Sequence, residues 1–200
     1  MTDRVRTAIL ISGRGSNMSA LIEAAHEPEF SAEISLVVSD KPDAPGLVAA
    51  REAGVAAKAI DFRSVPGRAA FEAALHSQLA SAGVEVICLA GFMRILSSNF
   101  VHRWRGRILN IHPSLLPELR GLHTHERALA EARQEHGCTV HYVTAELDAG
   151  PIIAQARVPV FPGDDAETLA ERVLLEEHRI YPKALDAVAR ALRATGAPAI

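Results

Sequence analysis

The chain has 200 residues, 48% of them apolar, and a formal net charge of -3. That length and apolar share suffice for one core of ordinary size, and the mild acidity excludes a general attraction to nucleic acid or to an anionic membrane. No window approaches the roughly 18 apolar residues of a membrane span, and the opening MTDRVRTAILISG has too short an apolar run for a secretory signal.

Residues 5 to 12 (VRTAILIS) form an apolar run that reads as a strand, and the turn Gly13-Arg14-Gly15-Ser16-Asn17 leads into MSALIEAAH, whose spacing is helical. Residues 33 to 39 give a second strand, 44 to 53 a short helix, and VAAKAI before Asp61 a third strand. Residues 66 to 81 form a helix with Phe71, Leu75 and Leu79 at intervals of four, and VEVICLA follows as a near-continuous buried strand. Strands alternating with helices imply a parallel sheet covered on both faces, so roughly the first 90 residues are a mononucleotide-binding type of α/β unit. Arg103, Arg105 and Arg107 make the one dense basic cluster, read with Trp104 as a solvated edge. Arg107-Ile108-Leu109 begins another strand, and residues 123 to 133 look helical. CTVHYVTA and PIIAQARVPV are two strand-like runs joined by Glu146-Leu147-Asp148-Ala149-Gly150, short enough for an antiparallel hairpin. Asp164 or Asp165 caps a final helix that runs to about residue 194, with Pro182 expected to bend it. Cys88 and Cys138 both sit in apolar runs, the pattern of buried thiols in a reducing cytoplasm. With no repeat and no linker, residues 1 to 200 are expected to form a single domain.

The segment LNIHPSLLP carries the chemistry. Asn110 and His112 are two residues apart on a strand, so their side chains share a face, and Pro113 ends the pairing beside them. An imidazole that moves a proton near neutral pH, next to a carboxamide that donates to a developing oxyanion, suits acyl transfer. The glycine turn fits an anionic oxygen at a helix N-terminus, with Gly13, Gly15, Ser16 and Asn17 around it; the alternative is a tight turn that binds nothing. Met18 stands where a dinucleotide fingerprint has its third glycine, although Asp40 lies where a ribose-binding acid would. Asp148 is either a turn former or a carboxylate brought over His112 by the hairpin. Glu177 falls on the apolar stripe of the final helix with Leu169, Val173 and Ile180, and needs a partner there, either a salt bridge or a ligand. His123 and His125 form an H-x-H without recognisable further metal ligands, as expected for a solvated loop. GRGSN is not a nucleophile elbow, and no Walker loop is present.

Five segments in chain order closely resemble the phosphoribosylglycinamide formyltransferase family: ISGRGSNMSALI, LAGFMRILS at 89 to 97, ILNIHPSLLP at 108 to 117, GLHTHERAL at 121 to 129, and GCTVHYVTAELDAGPIIAQARVPV at 137 to 160. Pattern and resemblance together give the expected fold, a Rossmann-like three-layer α/β sandwich with a mostly parallel sheet, a C-terminal antiparallel hairpin and a long final helix. Residues 1 to 100 would be the ribotide-phosphate-binding half, and 101 to 200 the catalytic and folate-binding half. The resemblance implies transfer of the formyl group from 10-formyltetrahydrofolate to the amine of glycinamide ribonucleotide, by direct attack and without a covalent enzyme intermediate; no metal is expected, since the acyl-transfer parts are complete without one and His123-x-His125 lacks identifiable partners. It implies that Asn110 steadies the formyl oxygen, His112 is acid/base or cationic stabiliser, and Asp148 organises His112 and a proton-relaying water. It assigns Gly15, Ser16, Asn17 and Glu177 to the ribotide, and Arg68, Met93, Arg94, Ile95 and Leu96, with Asn110, to the folate. The loop Glu118-Leu119-Arg120 carries no assigned contact. The extra domains of the related deformylase and tRNA formyltransferase are not expected here. Two other classes compete: a ribotide-sensing module, which needs no convergence of Asn110, His112 and Asp148, and a nicotinamide-dependent oxidoreductase, which Met18 disfavours.

Overall fold

The computed structural model describes residues 4–196. Seven strands form one sheet: β1 (Val5–Ile11), β2 (Ala32–Ser39), β3 (Ala57–Ala59), β4 (Val86–Leu89), β5 (Ile108–His112), β6 (Glu135–Tyr142) and β7 (Ile152–Pro159), in the order β3-β2-β1-β4-β5-β6-β7. The pairs from β3 to β5 are parallel, whereas β6 runs antiparallel to both β5 and β7. The expected hairpin is therefore present and begins three residues earlier, at Glu135 opposite Pro159.

Six helices cover the sheet: α1 (Ser16–Ala25), α2 (Pro45–Glu52), α3 (Arg68–Ser81), α4 (Ser98–Arg103), α5 (Thr124–Ala130) and α6 (Ala166–Thr195). Alternation along the strands decides which layer each residue joins. Ile9, Ile11 and Cys88 face one way, into a core with Met18, Leu21, Leu47, Leu169, Val173 and Leu185 from α1, α2 and α6. Ala8, Leu10 and Ile87 face the other, against Phe71, Leu75 and Leu79 of α3 and Phe100 and Trp104 at α4. The result is the three-layer sandwich expected, with Asp165 rather than Asp164 capping α6 by accepting from the Thr168 amide at 2.8 Å. Asp164 instead pairs with Arg172.

Helix α4 is an addition to the sequence reading, since six residues are too few to show a period. It is set by its cap: Ser97 Oγ accepts from the Phe100 amide at 3.2 Å, while Glu72 of α3 accepts from the amide and hydroxyl of Ser97. This cap corrects the picture of a wholly solvated edge at 103 to 107. Arg103 and Arg105 are exposed, but Trp104 at the end of α4 is 7% exposed and packs edge-on against His76. No helix among the described residues is long and apolar enough to cross a membrane.

Candidate active site

From β1 the chain winds outward through β2 to β3 and then returns to β4 on the other side of β1, so a crevice opens past the C-terminal ends of β1 and β4. Three loops leave from this edge: the glycine turn after β1, residues 91 to 96 after β4, and Pro113 onward after β5. Tyr181 of α6 fastens β4 and β5 from below, its hydroxyl lying 3.0 Å from the Leu89 carbonyl and 3.2 Å from that of Leu109. Asn110 is the next residue along, and pairs in register with Leu89.

The glycine turn is shaped by close approach. Gly15 caps α1 in the left-handed conformation, φ 77°, where an L side chain is strained, and a Cβ there would sit 3.1 Å from Met18 Cε. Met18 is fully buried beneath the turn, so the helix cannot press against the strand as the third glycine of a dinucleotide site allows. No side chain caps α1, which leaves its first amides available to an anion. Asn17 in that first turn donates from Nδ2 to Glu177 Oε2 at 2.7 Å, and its own Oδ1 is buried with no partner. Glu177 is 7% exposed, and burial, partly offset by this hydrogen bond, raises its carboxyl pKa above the ordinary 4.5. The salt bridge considered for Glu177 is thus replaced by an amide contact; among the described residues no cation pairs with it.

Asn110 and His112 alternate with the core-facing Leu109 and Ile111, and so emerge on one face, as expected. His112 is 5% exposed, with Nε2 3.1 Å from the Leu119 carbonyl and Nδ1 3.5 Å from Asp148 Oδ2. A ring protonated on both nitrogens makes both contacts, whereas a neutral ring has one donor. Asp148 reaches the strand from the hairpin tip at φ 49°, a left-handed conformation that Asp tolerates better than most residues, and its Oδ2 also accepts from the Gly121 amide at 2.9 Å. Two residues on, a Cβ on Gly150 would fall 1.7 Å from the Tyr142 carbonyl, so only glycine lets the hairpin return this closely.

His141 is the residue that sequence reasoning missed. It faces Asn110 across β5 and β6, and its Nε2 lies 3.2 Å from Asn110 Nδ2. Its Nδ1 lies 2.9 Å from the Tyr142 carbonyl, which assigns the ring proton to Nδ1 and makes Nε2 the acceptor. Burial, the largest cause, lowers the His141 pKa, keeping the ring neutral. The Asn110 carboxamide is thereby oriented. Only the strand register could have revealed this pair.

The loop after β5 is held by Thr139 and Gln155. Thr139 Oγ1 donates to the Ser114 carbonyl at 2.6 Å and accepts from the Leu116 amide, while Gln155 donates to the Leu116 carbonyl. Thr124 donates to the Pro113 carbonyl at 2.7 Å. His123 and His125 belong to the start of α5 rather than to a solvated loop, and they part company: exposed His123 approaches Glu126 at 3.4 Å, and half-buried His125 meets His136 at 3.1 Å. Burial, followed by the charge of His125, pushes the His136 pKa down to about 4.

Loop 91 to 96 forms one wall of a cavity of about 310 Å³, whose lining includes Phe62, Arg68, Phe71, Met93, Arg94, Ile95 and Leu96. It is tied to the turn after β1, since the Met93 amide donates to Ser12 Oγ at 2.9 Å. Among the described residues no group accepts from the amides of Arg94, Ile95 or Leu96, so a ligand edge can be read by main chain here. The Arg94 guanidinium is committed elsewhere: Nε donates to Asp40 Oδ2 at 2.7 Å, and the group lies 4.0 Å over the Phe62 ring. Asp40 is 1% exposed and bound to Arg94, which removes it as a ribose-binding acid and with it the main support for a nicotinamide site.

A family model described as formyl transferase matches residues 5–185. The phosphoribosylglycinamide formyltransferase of Escherichia coli K12 is 48% identical over 87% of this chain and 82% of its own length. The human trifunctional purine biosynthetic protein adenosine-3 is 48% identical over 93% of this chain, which spans only 18% of that longer protein. The crystal structure of phosphoribosylglycinamide formyltransferase from Brucella melitensis superposes with a TM-score of 0.90 at 54% identity, covering 93% of this chain and 96% of that one.

Proposed function

This chain belongs to the phosphoribosylglycinamide formyltransferase family, and we propose on that premise that it transfers the formyl group of 10-formyltetrahydrofolate to the amine of glycinamide ribonucleotide. The observation that supports the chemistry is the convergence of Asn110, His112 and Asp148 at the end of β5, within a crevice that has an uncapped helix N-terminus on one side and an apolar slot on the other.

In this reading the ribotide phosphate lies at Gly15, Ser16 and Asn17, and Glu177, held by Asn17, meets the ribotide. The folate head enters the slot lined by Met93 to Leu96, with main-chain amides reading its edge and Arg68 at the mouth. Arg94 contributes backbone, since its side chain is turned to Asp40. The amine lone pair attacks the formyl carbon and a C–N bond forms, while the C=O electrons move to oxygen. Asn110 Nδ2, oriented by His141, and His112 in its protonated form stabilise that oxyanion. The attacking nitrogen then loses a proton, by way of water ordered at Asp148, and the folate N10 gains one as its bond to the formyl carbon breaks. The donor leaves as tetrahydrofolate and no covalent enzyme intermediate forms. A cytoplasmic setting follows from these small, soluble substrates and fits two buried, unpaired thiols.

The test is an absorbance assay of folate product, with glycinamide ribonucleotide present and then omitted. Product that requires the ribotide supports the transferase; equal product without it would make the protein a hydrolase, and none in either case would refute formyl transfer. His112→Ala is expected to abolish nearly all turnover while leaving the fold intact.

A further inference from the structure

The segment Glu118-Leu119-Arg120 takes no part in the proposed reaction, yet it lies across two of the residues assigned to it. Leu119 and Gly121 both adopt left-handed backbone, at φ 53° and 80°, so the chain turns twice within three residues. The first turn buries the Leu119 side chain in the core and leaves its carbonyl 3.1 Å from His112 Nε2. The second points the Gly121 amide at Asp148 Oδ2, 2.9 Å away. Between them Arg120 is thrown outward, its side chain 39% exposed, and its guanidinium donates to Glu146 Oε1 at 2.7 Å, two residues before Asp148 on the hairpin tip. One short segment therefore touches both members of the His112 and Asp148 pair, and also the hairpin that carries one of them.

The other side of the segment is fixed. Ser114 Oγ donates to the Glu118 carbonyl at 2.7 Å, Arg133 pairs with the Glu118 carboxylate, and Arg127 of α5 donates to the Arg120 carbonyl at 2.7 Å. The hairpin tip has less support of its own: Thr144 donates to the Glu146 carbonyl at 3.1 Å within the tip, and Leu147 is largely exposed. The segment is thus the anchored partner, and the tip is the part it holds.

We propose that Arg120 is a positioning residue for this transferase, holding Asp148 over His112 by its grip on Glu146, an inference that rests on the formyl-transfer reading above. The Leu119 and Gly121 contacts are made by main chain, so Arg120 supplies the charged side chain by which the segment grips the tip. An exposed ion pair adds little to the stability of a whole fold. This one acts on the distance between two groups at the reacting centre, where a small displacement is costly in rate. Its charges are solvated, so salt weakens it.

The experiment is steady-state kinetics of the whole chain with 10-formyltetrahydrofolate and glycinamide ribonucleotide, comparing wild type, Arg120→Gln, Glu146→Gln and the two changes together. At low salt each single variant should lose about two- to fivefold in kcat, with the KM for the ribotide unchanged. The double variant should lose no more than either single one, since both remove the same interaction. The exchanged pair, Arg120→Glu with Glu146→Arg, should recover most of the kcat, which a role in packing alone would not produce. Salt at about 1 M should bring the wild type down to the variants and leave the variants where they are. A fully active Arg120→Gln, losses that add in the double variant, or no recovery in the exchanged pair would overturn the proposal. Amide hydrogen exchange at Gly121 judges the clamp apart from the reaction: faster exchange in Arg120→Gln than in wild type supports it, and equal rates overturn it. A wild-type chain without formyl transfer, whose Gly121 exchange still responds to Arg120→Gln, would overturn the transferase reading and leave the clamp standing.

Discussion

Glu177→Gln is expected to stabilise the fold near neutral pH and to weaken the hold on glycinamide ribonucleotide, both through one buried carboxylate. Glu177 is 7% exposed, with the Asn17 amide at 2.7 Å as its partner. Burial raises its pKa above 4.5, and the Asn17 hydrogen bond returns only part of the cost. The folded chain thus binds this proton more tightly than the unfolded chain does. The corresponding stability is complete below pH 4.5 and is lost as pH rises through the higher folded value. Glutamine keeps an oxygen for Asn17 and removes the charge, so about 1 kcal/mol should be gained at about pH 8, some 2–4 °C in Tm for a chain of this size. Below about pH 4 the two proteins should melt alike. In calorimetric titration the ribotide should bind more weakly by about 1–3 kcal/mol, the usual value of a charge-assisted hydrogen bond, while folate affinity stays nearly constant. A lower Tm than wild type at the higher pH would show that the charge is compensated, and the argument from burial would fail. Unchanged ribotide affinity would assign Glu177 to the Asn17 contact alone.

Asn110→Ala should lower turnover about a hundred- to a thousandfold, the cost of one oxyanion donor, with little change in either ligand's affinity; a pure affinity effect would reassign the residue. Arg94→Ala leaves the Asp40 carboxylate buried without its cation and should cost about 2–3 kcal/mol in urea unfolding, with Asp40→Asn in the same chain recovering part of it. Cys88 and Cys138 are buried, and burial pushes both thiols up to about 12, so an aromatic disulfide reagent near neutral pH should label neither until denaturant is added. Dialysis against a strong chelator should leave turnover unchanged, and loss of activity restored by zinc would bring the H-x-H at His123 back into the chemistry.

Local rules carried much of this protein in its sequence. Apolar runs of strand length alternating with helical periods specify a covered parallel sheet, since each element has to bury its own stripe, and Glu177 was visible as a polar group on such a stripe. Asn110 and His112 share a face because strand side chains alternate, which is a property of the chain alone. Contacts between distant segments were decided only by the fold. Asp148 could have been a bare turn former until β6 paired with β5 and brought it 3.5 Å from His112. Asp40 looked like a ribose ligand until Arg94, 54 residues away, took its carboxylate. Helix α4 has too few residues to show a period and depends on Glu72 holding its cap. His141 orients Asn110 through register, and register is a relation between two strands that neither contains.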